Sequence, residues 1–281
     1  MMKKVVAITG ASNGMGFEAA KLFAANGWLV YGGARRVEKI PITPNVHALS
    51  LDVTDHSSNK VFIQTILAEA GRIDVLINNA GYGEYGPIED IPLDNARNQF
   101  ETNFFGAADL SQLVLPIMRQ QESGRIINVS SIGGDVYMPL GAYYHATKAA
   151  LQHWSDSLDM EVKQFGVRSI TVQPGLTRSG WGDIAMSNAK KNLTAASVYT
   201  PLLDRVGGLL STNSHAIGAS SESLAALFYT AATDKRVKRR YFHSLSDRAL
   251  VWLARSHPNL FKNGFEAVFK YLEKRSDKAG I

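Results

Sequence analysis

Cysteine is absent from all 281 residues. Disulfides, thiolate metal sites and cysteine nucleophiles are thereby excluded together, and no metal site is expected. Proline is sparse, at nine positions, and no apolar run approaches the ~20 residues that a membrane-crossing helix needs. Acid is in slight deficit: 25 Asp and Glu stand against 30 Lys and Arg, a formal charge of +5. A surplus of that size modestly favours anionic ligands through the overall field. Its densest stretch, Lys235-Arg236-Val237-Lys238-Arg239-Arg240, has no accompanying recognition motif. It reads as a solvated loop before a late strand, and no nucleic-acid partner is expected. Met1-Met2-Lys3-Lys4 runs straight into an apolar strand, leaving no room for a secretory signal, so a cytoplasmic location is expected.

What is present describes an ordinary globular chain, 45% hydrophobic and 20% charged. Apolar, β-rich runs fall near 4–9, 28–33, 46–51, 73–78, 125–130, 167–173 and 240–243. Helical periodicity falls near 14–26, 56–70, 93–119, 143–165 and 220–232. Strands alternating with helices predict an α/β fold: a Rossmann-type, doubly wound parallel sheet of about seven strands with helices on both faces. Ligand then binds outside the carboxyl ends of the strands. Residues 1–245 are expected to form one catalytic domain whose substrate-binding segment is 180–215. Residues 246–281 are expected as a helical extension packed on that domain.

Tyr144 and Lys148 stand four apart, so on a helix they share one face. A free phenol titrates near ~10, and a neighbouring cation moves that value toward neutrality. At the other end of the chain, Lys4–Thr9 is a strand-like run and Phe17–Asn26 is helical. Between them lies Gly10-Ala11-Ser12-Asn13-Gly14-Met15-Gly16, a turn whose backbone N–H groups can approach a pyrophosphate at the helix start.

Several motifs, in one order, resemble the short-chain dehydrogenase/reductase family. They are Thr9-Gly10 through Gly14-x-Gly16, Asn78-Asn79-Ala80-Gly81, Asn103, Ser131, Tyr144, Lys148 and Pro174-Gly175, covering about residues 3–180. The register selects Ser131 over Ser130 and Tyr144 over Tyr143, because Tyr143 has Thr147 rather than lysine at i+4. The resemblance implies a catalytic set of Asn103, Ser131, Tyr144 and Lys148. Tyr144 would be the proton donor, and Ser131 would position the carbonyl oxygen. Lys148 would tune Tyr144 and bind the nicotinamide ribose, Tyr144 would also contact the cofactor, and Asn103 would order a water behind the lysine.

The second strand ends Ala34-Arg35-Arg36, with two cations where an acid would suit the ribose hydroxyls of NAD. A guanidinium grips a phosphate with two charge-assisted bonds, so NADP(H) is the expected cofactor, with Ser12 adding a hydroxyl. Asp52-Val53 resembles the family's adenine site; a capping Asp is the other reading. Asn79, Ala80 and Gly81 are assigned to binding and scaffolding. Beyond Pro174-Gly175 the pattern is irregular, and either Thr177 or Ser179 is the carboxamide contact.

The family pattern ends near residue 180. The segment from Trp181 to His215 carries Ile184, Met186, Leu193, Val198, Tyr199, Leu202 and Leu203 among small polar residues. It reads as a lid on an apolar pocket, as packing, or as a dimer surface. Tyr82, Tyr85, Gly133, Tyr137 and Met138 lie where they can join that pocket, which suggests a hydrophobic carbonyl or alcohol substrate. At the C-terminus Phe261, Phe265, Val268, Phe269 and Leu272 form one helical stripe, after a similar run Leu245-Ala249-Leu250-Trp252-Leu253. Core cover, lid or subunit contact is preferred to a basic amphipathic membrane contact. The resemblance implies a homodimer or homotetramer. Its expected activity is NADP(H)-dependent hydride transfer. The alternatives are a 3-oxoacyl thioester reductase and a non-enzymatic NADP-sensing regulator.

Overall fold

In a computed structural model, residues 3–178 and 181–279 are described. Seven strands form one sheet: β1 Val5–Thr9, β2 Leu29–Ala34, β3 Val46–Ser50, β4 Val75–Asn78, β5 Gly124–Val129, β6 Val167–Gln173 and β7 Arg240–Phe242. Their spatial order is β3-β2-β1-β4-β5-β6-β7, and every pairing is parallel. The order reverses between β1 and β4, the point where doubly wound sheets open a crevice for ligand.

Side chains alternate across the strands and supply two cores. Val6, Ile8, Val30 and Ile77 meet Phe23 of α1 (Gly14–Ala25) and Phe228 of α8 (Ser221–Thr233) on one face. Val5, Ala7, Leu76 and Ile126 meet the other face's helices. These are α2 (His56–Ala70), α4 (Gly106–Gln120) and α5 (Ala142–Val162), which contribute Phe62, Leu110, Met118 and Leu158.

The expected 93–119 helix is not one uniform rod. It comprises α3 (Leu93–Phe100), a π-turn over Glu101–Phe105, and α4. The substrate segment forms two helices, α6 (Trp181–Asn192) and α7 (Thr200–Ile217). The C-terminal residues form α9 (Leu245–Ser256) and α10 (Pro258–Ala279). In α9 the expected stripe is turned outward: Leu245 and Trp252 are 83% and 59% exposed, while Val251 and Ala254 are buried. In α10, Phe261 is buried and Val268 is exposed; the side chains of Phe269 and Leu272 lie outside the described residues. No helix among the described residues is long and apolar enough to cross a membrane.

Candidate active site

The glycine turn is built by close approach. Gly10 has φ +68, and a Cβ there would stand 3.0 Å from Ala80 Cα. At Gly16 a Cβ would meet the Gly10 carbonyl oxygen at 2.4 Å and Asn79 Nδ2 at 2.5 Å, so only glycine lets the helix start so near the turn. Asn13 caps α1, its side chain accepting from Gly14 N–H at 2.8 Å. Thr9, at the end of β1, accepts at Oγ1 from the N–H groups of Asn79 and Ala80, both at 2.9 Å. The Asn79 amide donates back to the Thr9 carbonyl at 2.9 Å. The two strands that border the crevice are thus cross-tied at their carboxyl ends.

Above this turn lies a cavity of about 990 Å³. Of the predicted cofactor residues, Gly10, Ser12, Asn13, Gly14, Met15, Arg35, Arg36, Asp52, Val53, Asn79, Ala80 and Gly81 line it. Gly16, Tyr144, Lys148, Pro174, Gly175 and Thr177 do not. Thr177 instead pairs in a short parallel bridge with Ala219, and Ser179 lies outside the described residues. Arg35 and Arg36 are exposed on the cavity wall. Burial acts to raise the Asp52 carboxyl, but bonds from the Thr54 hydroxyl and N–H, with the nearby Arg35 charge, hold it below the usual range. Asp52 caps its own turn, accepting from Thr54 Oγ1 at 2.8 Å, and it also lines the cavity. Both readings of that residue therefore fit the geometry.

The cavity's glycine floor, its exposed guanidiniums and its position at the sheet's reversal point fit a dinucleotide. Ser131, Tyr144, Lys148 and Asn103 cluster beside it. Tyr144 and Lys148 are both buried on one face of α5, with the ammonium 5.9 Å from the phenol ring centre. Lys148 Nζ donates to the Val129 carbonyl at 2.9 Å. Ser131 begins a short 3-10 turn, accepting from Gly133 N–H at 2.9 Å and donating to the Pro174 carbonyl at 3.3 Å. Its off-register neighbour Ser130 is turned away, donating to the Lys148 carbonyl at 3.0 Å.

Asn103 sits in the π-turn, where its Oδ1 accepts from Tyr82 N–H at 3.0 Å. Its Nδ2 donates to the Tyr82 carbonyl at 2.9 Å and to Thr147 Oγ1 at 3.2 Å. A Cβ on Gly81 would lie 3.1 Å from Asn103 Oδ1 and 3.5 Å from Lys148 Nζ, so that glycine keeps the three residues together.

One electrostatic expectation is corrected. Burial pushes the Tyr144 phenol up to about 12, against a downward pull from the Ser131 hydroxyl, and lowers Lys148 to about 8. The net shift of the phenol is upward because apolar groups surround it. Tyr85, Leu140, Ala185, Ala189, Leu203 and Val206 form one cluster with Tyr144, and Met138, Met186, Leu193 and Leu202 pack against it. Helices α6 and α7 supply most of that cover.

Sequence reasoning did not assign His145, whose Nδ1 donates to the Gly133 carbonyl at 2.8 Å while Nε2 accepts from Met138 N–H at 3.3 Å. Gly141 makes room for that ring: a Cβ there would meet Nε2 at 2.5 Å. Tyr137, expected in the pocket, is half exposed and stacks edge-on to Phe261 of α10 at 5.3 Å. Val198 is 78% exposed and Ile184 lines the cavity.

The sequence pattern of the family described as short chain dehydrogenase matches residues 4–189. The chain belongs to this family of oxidoreductases, which act on small molecules with a nicotinamide cofactor. A 3-ketodihydrosphingosine reductase of Bacteroides thetaiotaomicron is 39% identical over 183 residues, covering 65% of this chain and 67% of that protein. A Helicobacter pylori protein described as a probable short-chain type dehydrogenase/reductase is 33% identical over 257 residues, covering 90% and 92%. The crystal structure of a short-chain dehydrogenase from Streptomyces avermitilis covers 99% of this chain and 97% of its own, with TM-score 0.76 at 29% identity. Two more distant structures share the fold. One from Burkholderia phymatum is in complex with NAD (TM-score 0.79, 22% identity, 92% and 95% covered). The other, from Burkholderia cenocepacia, is in complex with NADP (0.72, 21%, 92% and 95%).

Proposed function

We propose that this chain is an NADP(H)-dependent oxidoreductase acting between a carbonyl and a secondary alcohol on an apolar substrate. The observation that carries the reading is the convergence of half-buried Ser131 with buried Tyr144 and Lys148 beside the glycine-floored cavity. The dinucleotide, when bound, supplies the hydride in reduction and accepts it in oxidation.

This chain's residues handle the proton and the geometry. Charge that develops on the carbonyl oxygen needs a proton donor in contact with it. A phenol holds its proton at neutral pH even when unperturbed, and burial strengthens that hold at Tyr144, so the acid form is the one present. Ser131 Oγ interacts with the same phenol oxygen, and its one hydrogen, turned there from the Pro174 carbonyl, stabilises the phenolate left behind. Lys148, held by the Val129 carbonyl, adds positive charge below that ring. Asn103 braces the Tyr82 backbone and Thr147, whose hydroxyl donates to the Tyr144 carbonyl at 2.8 Å. In this reading Gly10, Gly14 and Gly16 admit the pyrophosphate, and Pro174, Gly175 and Thr177 border the nicotinamide end.

The choice of NADP(H) rests on Arg35 and Arg36 at the cavity wall. NADPH should bind at least ~10-fold more tightly than NADH, about 1.4 kcal/mol. Equal dissociation constants would refute this. The apolar cover on Tyr144, and a relative named as reductase of a keto compound, support a hydrophobic carbonyl substrate. A homodimer or homotetramer, a cytoplasmic setting and one catalytic domain (1–245) with its helical extension belong to the same reading. Leu93, Phe105 and Met160, all exposed, are candidates for the subunit contact, which light scattering tests. The chemistry is tested by NADPH consumption on ketones, aldehydes, quinones, steroids and acyl thioesters. Tyr144→Phe should bind NADPH and lose nearly all turnover; retained turnover sinks the mechanism.

A further inference from the structure

The main-chain carbonyl of Ser131 accepts from two side-chain amides, Gln152 Nε2 at 2.9 Å and Gln173 Nε2 at 3.3 Å. Both glutamines are buried. A primary amide has a donor end and an acceptor end, and only one orientation presents NH₂ to Ser131. Arg240 of β7 selects it. Its Nη1 donates to Gln152 Oε1 at 2.5 Å and to Gln173 Oε1 at 3.1 Å, so each amide must direct its nitrogen the other way.

Arg240 is held in turn by Asp156 at 2.7 Å and Asp135 at 3.5 Å; the Arg240 and Asp135 side chains are 7% and 3% exposed. Asp135 also accepts from Gln173 Nε2 at 2.6 Å. The last arm comes from α9. Arg255 donates through Nε to Asp135 and through Nη2 to Gln152 Oε1 at 3.4 Å. Gly134 leaves the space for this assembly, since a Cβ there would stand 2.2 Å from Gln152 Nε2. Charges buried this deeply are a poor means of gaining stability, but the bonds made by both terminal nitrogens of Arg240, whose Nε is left without a partner, hold the two amides in one arrangement.

We propose that Arg240 and Arg255 are positioning residues for the reaction, fixing the Ser131 backbone through Gln152, Gln173 and Asp135. The C-terminal helix α9 thereby sets where the Ser131 hydroxyl stands relative to Tyr144. This rests on the reading of Ser131 as a catalytic hydroxyl.

Arg255 is the residue to change, because its side chain is 37% exposed and Arg240 keeps its pair with Asp156 without it. In the full-length protein, Arg255→Met should lower kcat about tenfold on whichever carbonyl wild type reduces. KM for that carbonyl and the NADPH dissociation constant should stay within twofold, and Arg255→Lys, which keeps the charge beside Asp135, should recover most of the loss. A second readout needs no substrate. The Gly133 N–H donates to Ser131 Oγ, so its amide resonance reports the hydroxyl's position. That resonance should move in Arg255→Met and in Asp135→Asn, and stay near wild type in Arg255→Lys. An unmoved Gly133 resonance in Arg255→Met, or an unchanged kcat, overturns the proposal. If no carbonyl is turned over, the resonance decides alone. Turnover surviving Tyr144→Phe would overturn the chemistry proposed above while leaving the resonance to judge the network, so the two failures are distinct.

Discussion

Replacing Lys148 by methionine tests what its buried ammonium costs the fold. Burial lowers this group from its usual 10.5 to about 8. Between those values the unfolded chain still carries a proton that the folded chain has released, so stability rises with pH across that window. Below pH 8 the folded protein bears the whole penalty, on the order of 3 kcal/mol at about 1.4 kcal/mol per unit. By pH 10 most of it has gone. Methionine occupies similar space without charge, at the loss of the bond to the Val129 carbonyl, worth about 1 kcal/mol. Cofactor-free Lys148→Met should therefore be about 2 kcal/mol more stable than wild type at pH 7, and about equal to it at pH 10. Tyr144, raised to about 12, loses its own stabilising contribution only as pH climbs from 10 to 12, above the range in which the gap is measured. Urea unfolding followed by tryptophan fluorescence at pH 7, 8.5 and 10 measures the gap. A gap that is constant with pH, or a wild type that is the more stable at pH 7, refutes the reasoning. The same variant should lose nearly all turnover, so the residue trades stability for activity.

Gly16→Ala forces a Cβ to within 2.4 Å of the Gly10 carbonyl oxygen, where backbone has little room to give. It should cost roughly 1–3 kcal/mol and weaken NADPH binding at least tenfold, read by thermal melting and fluorescence titration; an unchanged melt would contradict the packing argument. Thr9→Val removes the acceptor for two backbone N–H groups at the crevice and should destabilise by roughly 2–4 kcal/mol in denaturant melts, whereas Thr9→Ser should stay near wild type. Arg35→Asp should weaken NADPH binding at least tenfold while leaving NADH within about threefold, and a parallel loss of both cofactors would show that Arg35 does not discriminate between them.

The sheet was legible because parallel strands are buried on both faces and read as short apolar runs, as in Val5–Thr9 and Val75–Asn78. The glycine turn and the Tyr144–Lys148 pair were legible because each depends on local spacing along one element. What was hidden depends on distant partners. Gln152, Gln173 and Arg240 meet across 88 and 67 residues of chain, and neutral amides carry no sequence signal of burial. Arg240 was further masked by the basic run around it, most of which is exposed as expected while Arg240 itself is turned inward. The direction of the Tyr144 shift was misread for a related reason. The lysine is visible four residues away, but the cover from α6 and α7 is set by tertiary contact, and the small polar residues of that segment obscured its helices.

The π-turn at Glu101–Phe105 makes one rod do two jobs. A π-turn inserts one extra residue, which rotates everything downstream by about 100° relative to an unbroken α-helix. Before and within it, Asn98, Glu101 and Thr102 border the ligand cavity; after it, Ala107, Leu110, Val114 and Met118 face inward, the last three buried against the sheet. Deleting a single residue here would restore a regular helix and swing one of these two faces away from its target. The segment should accept many side-chain changes on its exposed positions yet reject any change in its length. An engineer reshaping the cavity rim is therefore free in composition at Asn98 and Glu101 but bound by phase.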